Sequence, residues 1–311
     1  MSESNHTPKK GVLYVVATPI GNRDDITLRA LDVLQMVDLI AAEDTRKSGR
    51  LLAHHGISKQ LTAYHEHNEK KKAPQLIRKL LDGTSIALIS SAGTPSVSDP
   101  GYRLISAAIE NMITVAPIPG VTAATAALSV SGLPTDAFMF VGFAPKKKGK
   151  RITFLKALDD QPGSLIFYES PKRIVSLLQD IISCLGDRDA MLAREMTKLH
   201  EEFLRGRLTH ILNTIKARPM VKGECTLMVA GCDSSKEVDM QRIRNMLKTA
   251  LENETGSLSD IARTVARKHG LPKKTVYDMA LDIRGQKSED RGQRTEVGGQ
   301  KSENKLQGNH N

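Results

Sequence analysis

Short β-branched, apolar runs alternate through the first three quarters of the chain with longer segments whose apolar positions recur at helical spacing, a pattern that predicts βαβ units. The runs at 12–18 (VLYVVAT), 39–44 (LIAAED), 85–91 (SIALISS) and 114–118 (TVAPI) are separated by stretches long enough for crossover helices. They predict a first lobe built on a mostly parallel sheet. A second set at 138–144 (FMFVGFA), 164–170 (SLIFYES), 189–195 (DAMLARE) and 225–231 (CTLMVAG), with helical stretches after Pro171 and near Leu208, predicts a second α/β lobe. Two prolines and a glycine in APIPG, 116–120, interrupt the pattern between them. The expected division is a flexible N-terminus over 1–10, a first lobe over 11–118 and a second over 119–233.

Beyond the polar stretch GCDSSKEVDM the pattern becomes helical only. SLSDIARTVARKHG opens on Ser257 and Asp260, spaced like a capping box, and closes on Gly270; LPKKTVYDMALDI reads as a second helix. Two short helices across a tight glycine-containing turn resemble a helix-turn-helix, so 240–283 is expected to be a small all-helical module. From 284 to 311 the chain is polar and repeats GQKSE, the composition of a disordered tail.

Composition narrows the class. At 311 residues, 40% hydrophobic and 26% charged, the chain suits a soluble protein of two or three units. No apolar run nears the roughly 20 residues that span a bilayer, and residues 1–10 lack an export signal's apolar stretch, so a cytoplasmic location without membrane contact is expected. Three cysteines without CxxC spacing predict neither disulfides nor a zinc site. The net charge of +10 favours a polyanionic partner. Residues 240–311 hold 14 basic against 9 acidic residues, about half of that excess, and KKKGKR at 146–151 is a second concentration. Lys146, Lys147, Lys148, Lys150, Arg151, Arg46 and Arg194, with Lys273 and Lys274 opening the last helix, are the expected nucleic-acid phosphate contacts. Five tyrosines, six phenylalanines and no tryptophan leave little for extensive base stacking.

Three loops carry candidate chemistry. ATPIGN (17–22) follows the first strand, where open α/β sheets bind ligands. It is not GxGxxG, and GFAPKKKGK lacks the glycine spacing and the hydroxyl of a P-loop, so neither a nicotinamide enzyme nor an NTPase is indicated. AGTPSVSDPG (92–101) packs two glycines and two prolines into ten residues, a rigid loop rich in accessible main chain. PGVTAATAAL (119–128) begins a helix with small side chains that let a ligand come close. Asp44 in AEDTR and Asp99 in SVSDPG follow strands that should end at the cleft, which makes them the first candidates for a proton acceptor, ahead of His65 and His67. That histidine pair has no further ligand at matching spacing, so no metal site is expected.

VVATPIGNRDDITLRAL, AGTPSVSDPG and IPGVTAATAAL resemble, in order and spacing, the three cofactor loops of the tetrapyrrole (corrin and porphyrin) methylases. AEDTR, YHEHNE, FYESPKR and AREMTKLHEEFLRG are similar to the branch of that family that modifies ribosomal RNA. The likeness runs over residues 11–283. It implies a two-lobed fold with S-adenosylmethionine in the cleft, touching Ile20, Ala92, Gly93, Thr94, Val97, Thr122 and Ala123, with Glu169 and Met196 completing the pocket. It further implies a homodimer that methylates the 2′-oxygen of a cytidine in the decoding region of 16S ribosomal RNA, on the RNA or the 30S subunit. PIGN and GTP stand where tetrapyrrole-modifying members tend to have GPGD and GDP, so Asn22 and Thr94 replace two acids. The alternatives are a methyltransferase for a small tetrapyrrole and a non-enzymatic nucleic-acid-binding sensor of the cofactor.

Overall fold

A computed structural model describes residues 10–232, 240–253, 257–268 and 271–284. The flexible N-terminus expected over 1–10 (but for Lys10), the polar stretch 233–239, Gly270 and the tail from 285 lie outside them. The chain divides into two compact units, Met1–Cys232 and Asp233–Asn311.

The first unit opens with β1 (Leu13–Val16), α1 (Leu28–Met36), β2 (Leu39–Ala42), α2 (Thr45–His54), β3 (Leu61–Ala63), α3 (Glu69–Leu81), β4 (Ile86–Ile89), α4 (Tyr102–Glu110) and β5 (Val115–Ile118). The five strands form one wholly parallel sheet in the order β3-β2-β4-β1-β5. Strands of such a sheet are covered on both faces, which is why LIAA in β2 and IALI in β4 are apolar at every position and buried throughout. Leu39 and Ala41 face the core formed with α3 and α4, and Ile40 and Ala42 the core formed with α1 and α2. Because β1 and β4 are neighbours, the loops leaving their carboxyl ends emerge side by side.

The chain then passes through α5 (Ala123–Ser129) into β6 (Phe138–Phe143), α6 (Lys148–Lys156), β7 (Ser164–Glu169), α7 (Ile174–Leu185), β8 (Asp189–Arg194), β9 (Glu202–Arg207), α8 (Leu208–Lys216) and β10 (Cys225–Val229). This second sheet has the order β6-β7-β10-β8-β9, parallel only at β6–β7. Leu165, Phe167, Leu192 and Leu227 pack beneath α6, α7 and α8. The opposite face, Ile166, Met191, Ala193 and Met228, packs against Ala124, Ala127 and Leu128 of α5 and against Ile20 from the loop after β1. Ile20 therefore ties the first lobe into the second lobe's core.

The eight strands read from the sequence are present. Two were not read there: β3, only three residues long, and β9 (EFLRGR), an edge strand whose charged residues give no apolar run.

The second unit is three helices: α9 (Met240–Asn253), α10 (Leu258–Lys268) and α11 over 273–284. Ile243, Leu247, Ile261, Val265, Val276 and Ile283 share its core. Helix α9 adds a third element to the pair expected from the sequence. The capping box is present: the amide of Asp260 donates to Ser257 Oγ at 3.2 Å, and that hydroxyl donates to Asp260 Oδ2 at 2.5 Å. Replacing Ser257 by Ala is expected to cost about 1 kcal/mol of local stability, read as faster hydrogen exchange at the first amides of α10 in the full chain.

Candidate active site

Three loops meet where β1, β4 and β5 end. Thr18 and Gly93 form an isolated antiparallel bridge, each donating its amide to the other's carbonyl at 2.9 Å. Gly120 lies so close to Ala17 that a Cβ on it would sit 2.9 Å from the alanine Cβ. Across the cleft, Asn22 N donates to Thr197 Oγ1 at 2.9 Å, and a Cβ on Gly21 would come within 2.6 Å of Thr197 and Lys198. The absence of side chains at 21 and 120 thus lets the first loop be clamped between the third loop and the 195–198 turn. Asn22 also accepts the amide of Asp24 at 3.2 Å, so it shapes its own loop rather than standing in for a carboxylate.

The 92–101 loop is held in unusual conformations: Ser96 and Ser98 have φ of 71° and 63°, and Gly101 has φ of 154°. Strain of this kind persists only where the surroundings enforce it, and it clusters at ligand sites. Gly142, φ 69°, sits at a bulge in β6 and leaves room for Ser98 Oγ, which a Cβ there would meet at 3.0 Å. The strained loop is therefore seated against the second lobe.

These loops enclose a cavity of about 320 Å³ lined by Ile20, Ala92, Gly93, Thr94, Val97, Thr122, Ala123 and Glu169. That volume and its mixed lining suit a nucleoside-sized ligand. Of the nine cofactor contacts expected from the sequence only Met196 is not in the wall; it is buried behind it, in the same cluster as Ile20. Besides Asp99, the rest of the lining is Ser98, Phe143, Tyr168, Ser170, Pro171, Glu224, Cys225 and Thr226. None of these had been singled out, though Phe143 lies in GFAPKKKGK and Tyr168, Ser170 and Pro171 in FYESPKR, both already marked. Tyr168 Oη accepts the amide of Ala124 at 3.1 Å, and burial pushes its pKa up. Burial also holds the Cys225 thiol at about 11, so it is not a nucleophile at neutral pH. Glu169, 3% exposed, accepts the amide of Ser170 at 2.7 Å and lies 3.0 Å from the Arg173 guanidinium.

A second, open cleft of about 1040 Å³ adjoins it, lined among others by Glu43, Asp44, Arg46, His65, His67, Tyr102 and Arg103. Asp99 and Ser98 line both spaces. Burial, and then the negative charge of Glu43, push the Asp99 carboxyl up to about 7, against a lowering hydrogen bond from Ser90. Glu43 is itself held by the amide of Ser91, 2.9 Å from its Oε2. Asp44 differs. It caps α2, accepting the amides of Arg46 at 2.9 Å and Lys47 at 3.1 Å, and these backbone hydrogen bonds, Lys47's foremost, lower its pKa. The two acids ranked together in the sequence thus sit in opposite environments, one favouring the charged form and one opposing it. Arg103 pairs with Glu69 at 2.7 Å rather than with either aspartate.

Among the expected phosphate contacts, Lys146, Lys147, Lys148, Lys150, Arg46, Lys273 and Lys274 are exposed. Arg151 is not: it is 6% exposed, and its Nε donates to Asp180 Oδ2 at 2.7 Å. Arg194 donates to Glu202 at 2.8 Å and to the Lys222 carbonyl at 2.9 Å. The expectation for Arg151 is corrected, because its guanidinium is bound inside the second lobe, whereas Arg194 is partly exposed and already engaged by a carboxylate.

Residues 12–212 match the family of Tetrapyrrole (Corrin/Porphyrin) Methylases, and 238–284 match the RsmI C-terminal HTH domain. The chain is 45% identical over 281 residues to the ribosomal RNA small subunit methyltransferase I of Escherichia coli O157:H7, covering 89% of this chain and 96% of that protein. It is 44% identical over 286 residues to the protein of the same name from Mesorhizobium japonicum, covering 92% and 96%. Among solved structures, the methyltransferase CobJ superimposes with a TM-score of 0.55 at 19% identity, covering 74% of this chain and 97% of that one. Uroporphyrin-III C-methyl transferase from Thermus thermophilus complexed with S-adenyl homocysteine gives 0.51 at 19% identity, covering 71% and 97%.

Truncating Arg151 to Met leaves Asp180 buried and uncompensated, which is expected to cost about 3 to 5 kcal/mol. Urea unfolding measures the loss, and replacing Asp180 by Leu as well recovers most of it. The salt dependence of nucleic-acid binding stays unchanged.

Proposed function

The chain belongs to the tetrapyrrole methylase family, and from that premise we infer that it transfers a methyl group from S-adenosylmethionine to the 2′-oxygen of a cytidine in 16S ribosomal RNA. The relatives that share 44–45% of its residues are named for ribosomal RNA, and the match extends over the C-terminal helical unit. The structures named for porphyrin acceptors share the fold at 18–21% identity. A small tetrapyrrole is therefore not the acceptor this chain is built for.

The smaller cavity fits the cofactor. Its walls are main chain and small side chains from the second and third loops, with apolar Ile20 and Val97 and one buried carboxylate, Glu169. Ile20, Ala92, Gly93, Thr94, Val97, Thr122, Ala123 and Glu169 would hold it, with Met196 packed behind Ile20. S-adenosylmethionine supplies, when bound, a methyl group made electrophilic by its sulfonium. The protein's own work is to align the ribose hydroxyl, accept its proton and exclude water.

The position of Asp99 carries this reading. It stands in the one stretch of wall common to both spaces, where an acceptor oxygen in the larger cleft meets a donor in the smaller cavity. With its carboxyl at about 7, it is ionised for part of the population at neutral pH and still basic enough to take a proton. Exposed Lys146, Lys147, Lys148, Lys150 and Arg46, and Lys273 and Lys274 of the helical unit, supply phosphate contacts that need no base recognition.

The protein works on the 16S RNA of the small subunit, in the cytoplasm, as a homodimer. No helix among the described residues is long and apolar enough to cross a membrane. Dimerisation is supported by β6, an edge strand that exposes Phe138 and Met139.

Asp99→Asn is expected to lower kcat by roughly 10²- to 10⁴-fold, with the affinity for S-adenosylmethionine nearly unchanged. Wild-type kcat rises with pH through about 7 as the carboxylate forms, and the variant loses that dependence. The folded state holds this proton more tightly than the unfolded state, so between the ordinary carboxylate range and about 7 rising pH weakens folding. Asp99→Asn accordingly raises the melting temperature at pH 8 and not at pH 4. Steady-state methyl transfer and thermal melts across pH check both; an unchanged kcat removes Asp99 from the reaction.

A further inference from the structure

The larger cleft is far roomier than one hydroxyl requires, and the geometry of a nucleotide says what else enters it. The 2′-oxygen hangs from C2′, which is bonded to C1′, the atom that carries the base. When the oxygen lies at Asp99, the base is held within a few bonds of it and must occupy the same cleft. A base stacked inside an RNA helix cannot reach such a place; it has to be turned out and given a new surface to lie on.

One side chain offers that surface. Tyr102, first residue of α4, lines the cleft and is 73% exposed, so most of its ring is free to take a partner. By contrast Tyr64 is fully buried and Tyr168 faces the cofactor cavity. The loop that bears Asp99 runs through Pro100 and Gly101 straight into Tyr102. At Gly101 a Cβ would meet Leu88 and Ser96 at 3.2 Å, so the backbone that joins Asp99 to Tyr102 is tightly seated. The same cleft presents the imidazoles of His65 and His67, ring centroids 6.0 Å apart, and the exposed carboxylate of Glu66, the kind of acceptor that reads an exocyclic amino group. Ring, carboxylates and imidazoles together make a slot for a planar, amino-bearing base.

We propose that Tyr102 is the stacking platform for the target nucleobase, turned out of the RNA so that its ribose 2′-oxygen reaches Asp99. This rests on the RNA methylation reading above and deepens it. A single platform also fits a chain with few aromatic residues, since it places one base and leaves the rest of recognition to charge and shape.

The test uses the full-length protein and 30S subunits lacking the modification. Tyr102→Ala is expected to lower kcat/KM on the order of ten- to a hundredfold, chiefly through KM, and Tyr102→Phe to restore most of the loss because stacking needs the ring and not the hydroxyl. Binding of S-adenosylmethionine, measured by calorimetry, stays as in the wild type. Ile109 on α4 and Met112 in the turn after it are also exposed, so a second copy of the chain lying on that helix is the rival occupant. Sedimentation separates the two. An oligomeric state altered by Tyr102→Ala, an undiminished kcat/KM, or no rescue by Phe overturns the proposal. Failure of the wild type itself to methylate the subunit's RNA overturns instead the reading on which the proposal stands.

Discussion

The reciprocal pair of hydrogen bonds between Thr18 and Gly93 is the contact on which the rest of the site depends. Strands β1 and β4 are neighbours in a parallel sheet, so their outgoing loops emerge together, but only a bridge of this kind fixes one against the other. With that register set, Ala17 is pressed on Gly120, Gly21 reaches the 195–198 turn and Ile20 drops into the second lobe's core. The cavity is what remains between them. Its shape follows from backbone contacts and small residues rather than from specific polar side chains, so the loops can keep their form while the acceptor changes. That is consistent with a fold shared, at about one residue in five, with enzymes named for porphyrins.

The two aspartates at the cleft show how environment divides identical side chains into different roles. Asp44 spends its lone pairs on the first turn of α2, which stabilises the charged form and leaves little basicity. Asp99 has burial and the charge of Glu43 against it, which destabilises the charged form and brings its basicity near neutral pH. The protein carries a destabilised carboxylate in its folded state, and the strained serines 96 and 98 lie in the same loop. Both are costs that packing elsewhere offsets, as is usual where a site must be preorganised.

Much of this was legible in the sequence. Continuous apolar runs such as LIAA and IALI announce strands buried on both faces, and the glycine- and proline-rich loops announce a ligand site, because both signals are local. Strand β9 was not legible, since it is an edge whose charged residues follow no apolar run. Nor were Glu224, Cys225 and Thr226, which enter the cavity only because β10 is central in a sheet whose order no local pattern encodes. Arg151 shows the opposite error. Within KKKGKR it reads as one more surface cation, and only the placement of Asp180 on α7 reveals it as half of a buried pair. The sequence likewise offers Asp44 and Asp99 as equals, and only helix capping at the one and burial beside Glu43 at the other separate them.

The most direct test of the account is where the methyl group goes. Small subunits lacking the modification would be incubated with the protein and methyl-labelled S-adenosylmethionine, and the 16S RNA hydrolysed in alkali, which cleaves only where a 2′-hydroxyl is unblocked. The account predicts label in an alkali-stable dinucleotide that begins with 2′-O-methylcytidine. Label released as a base-methylated mononucleotide, or found only on a small tetrapyrrole offered in parallel, would contradict it.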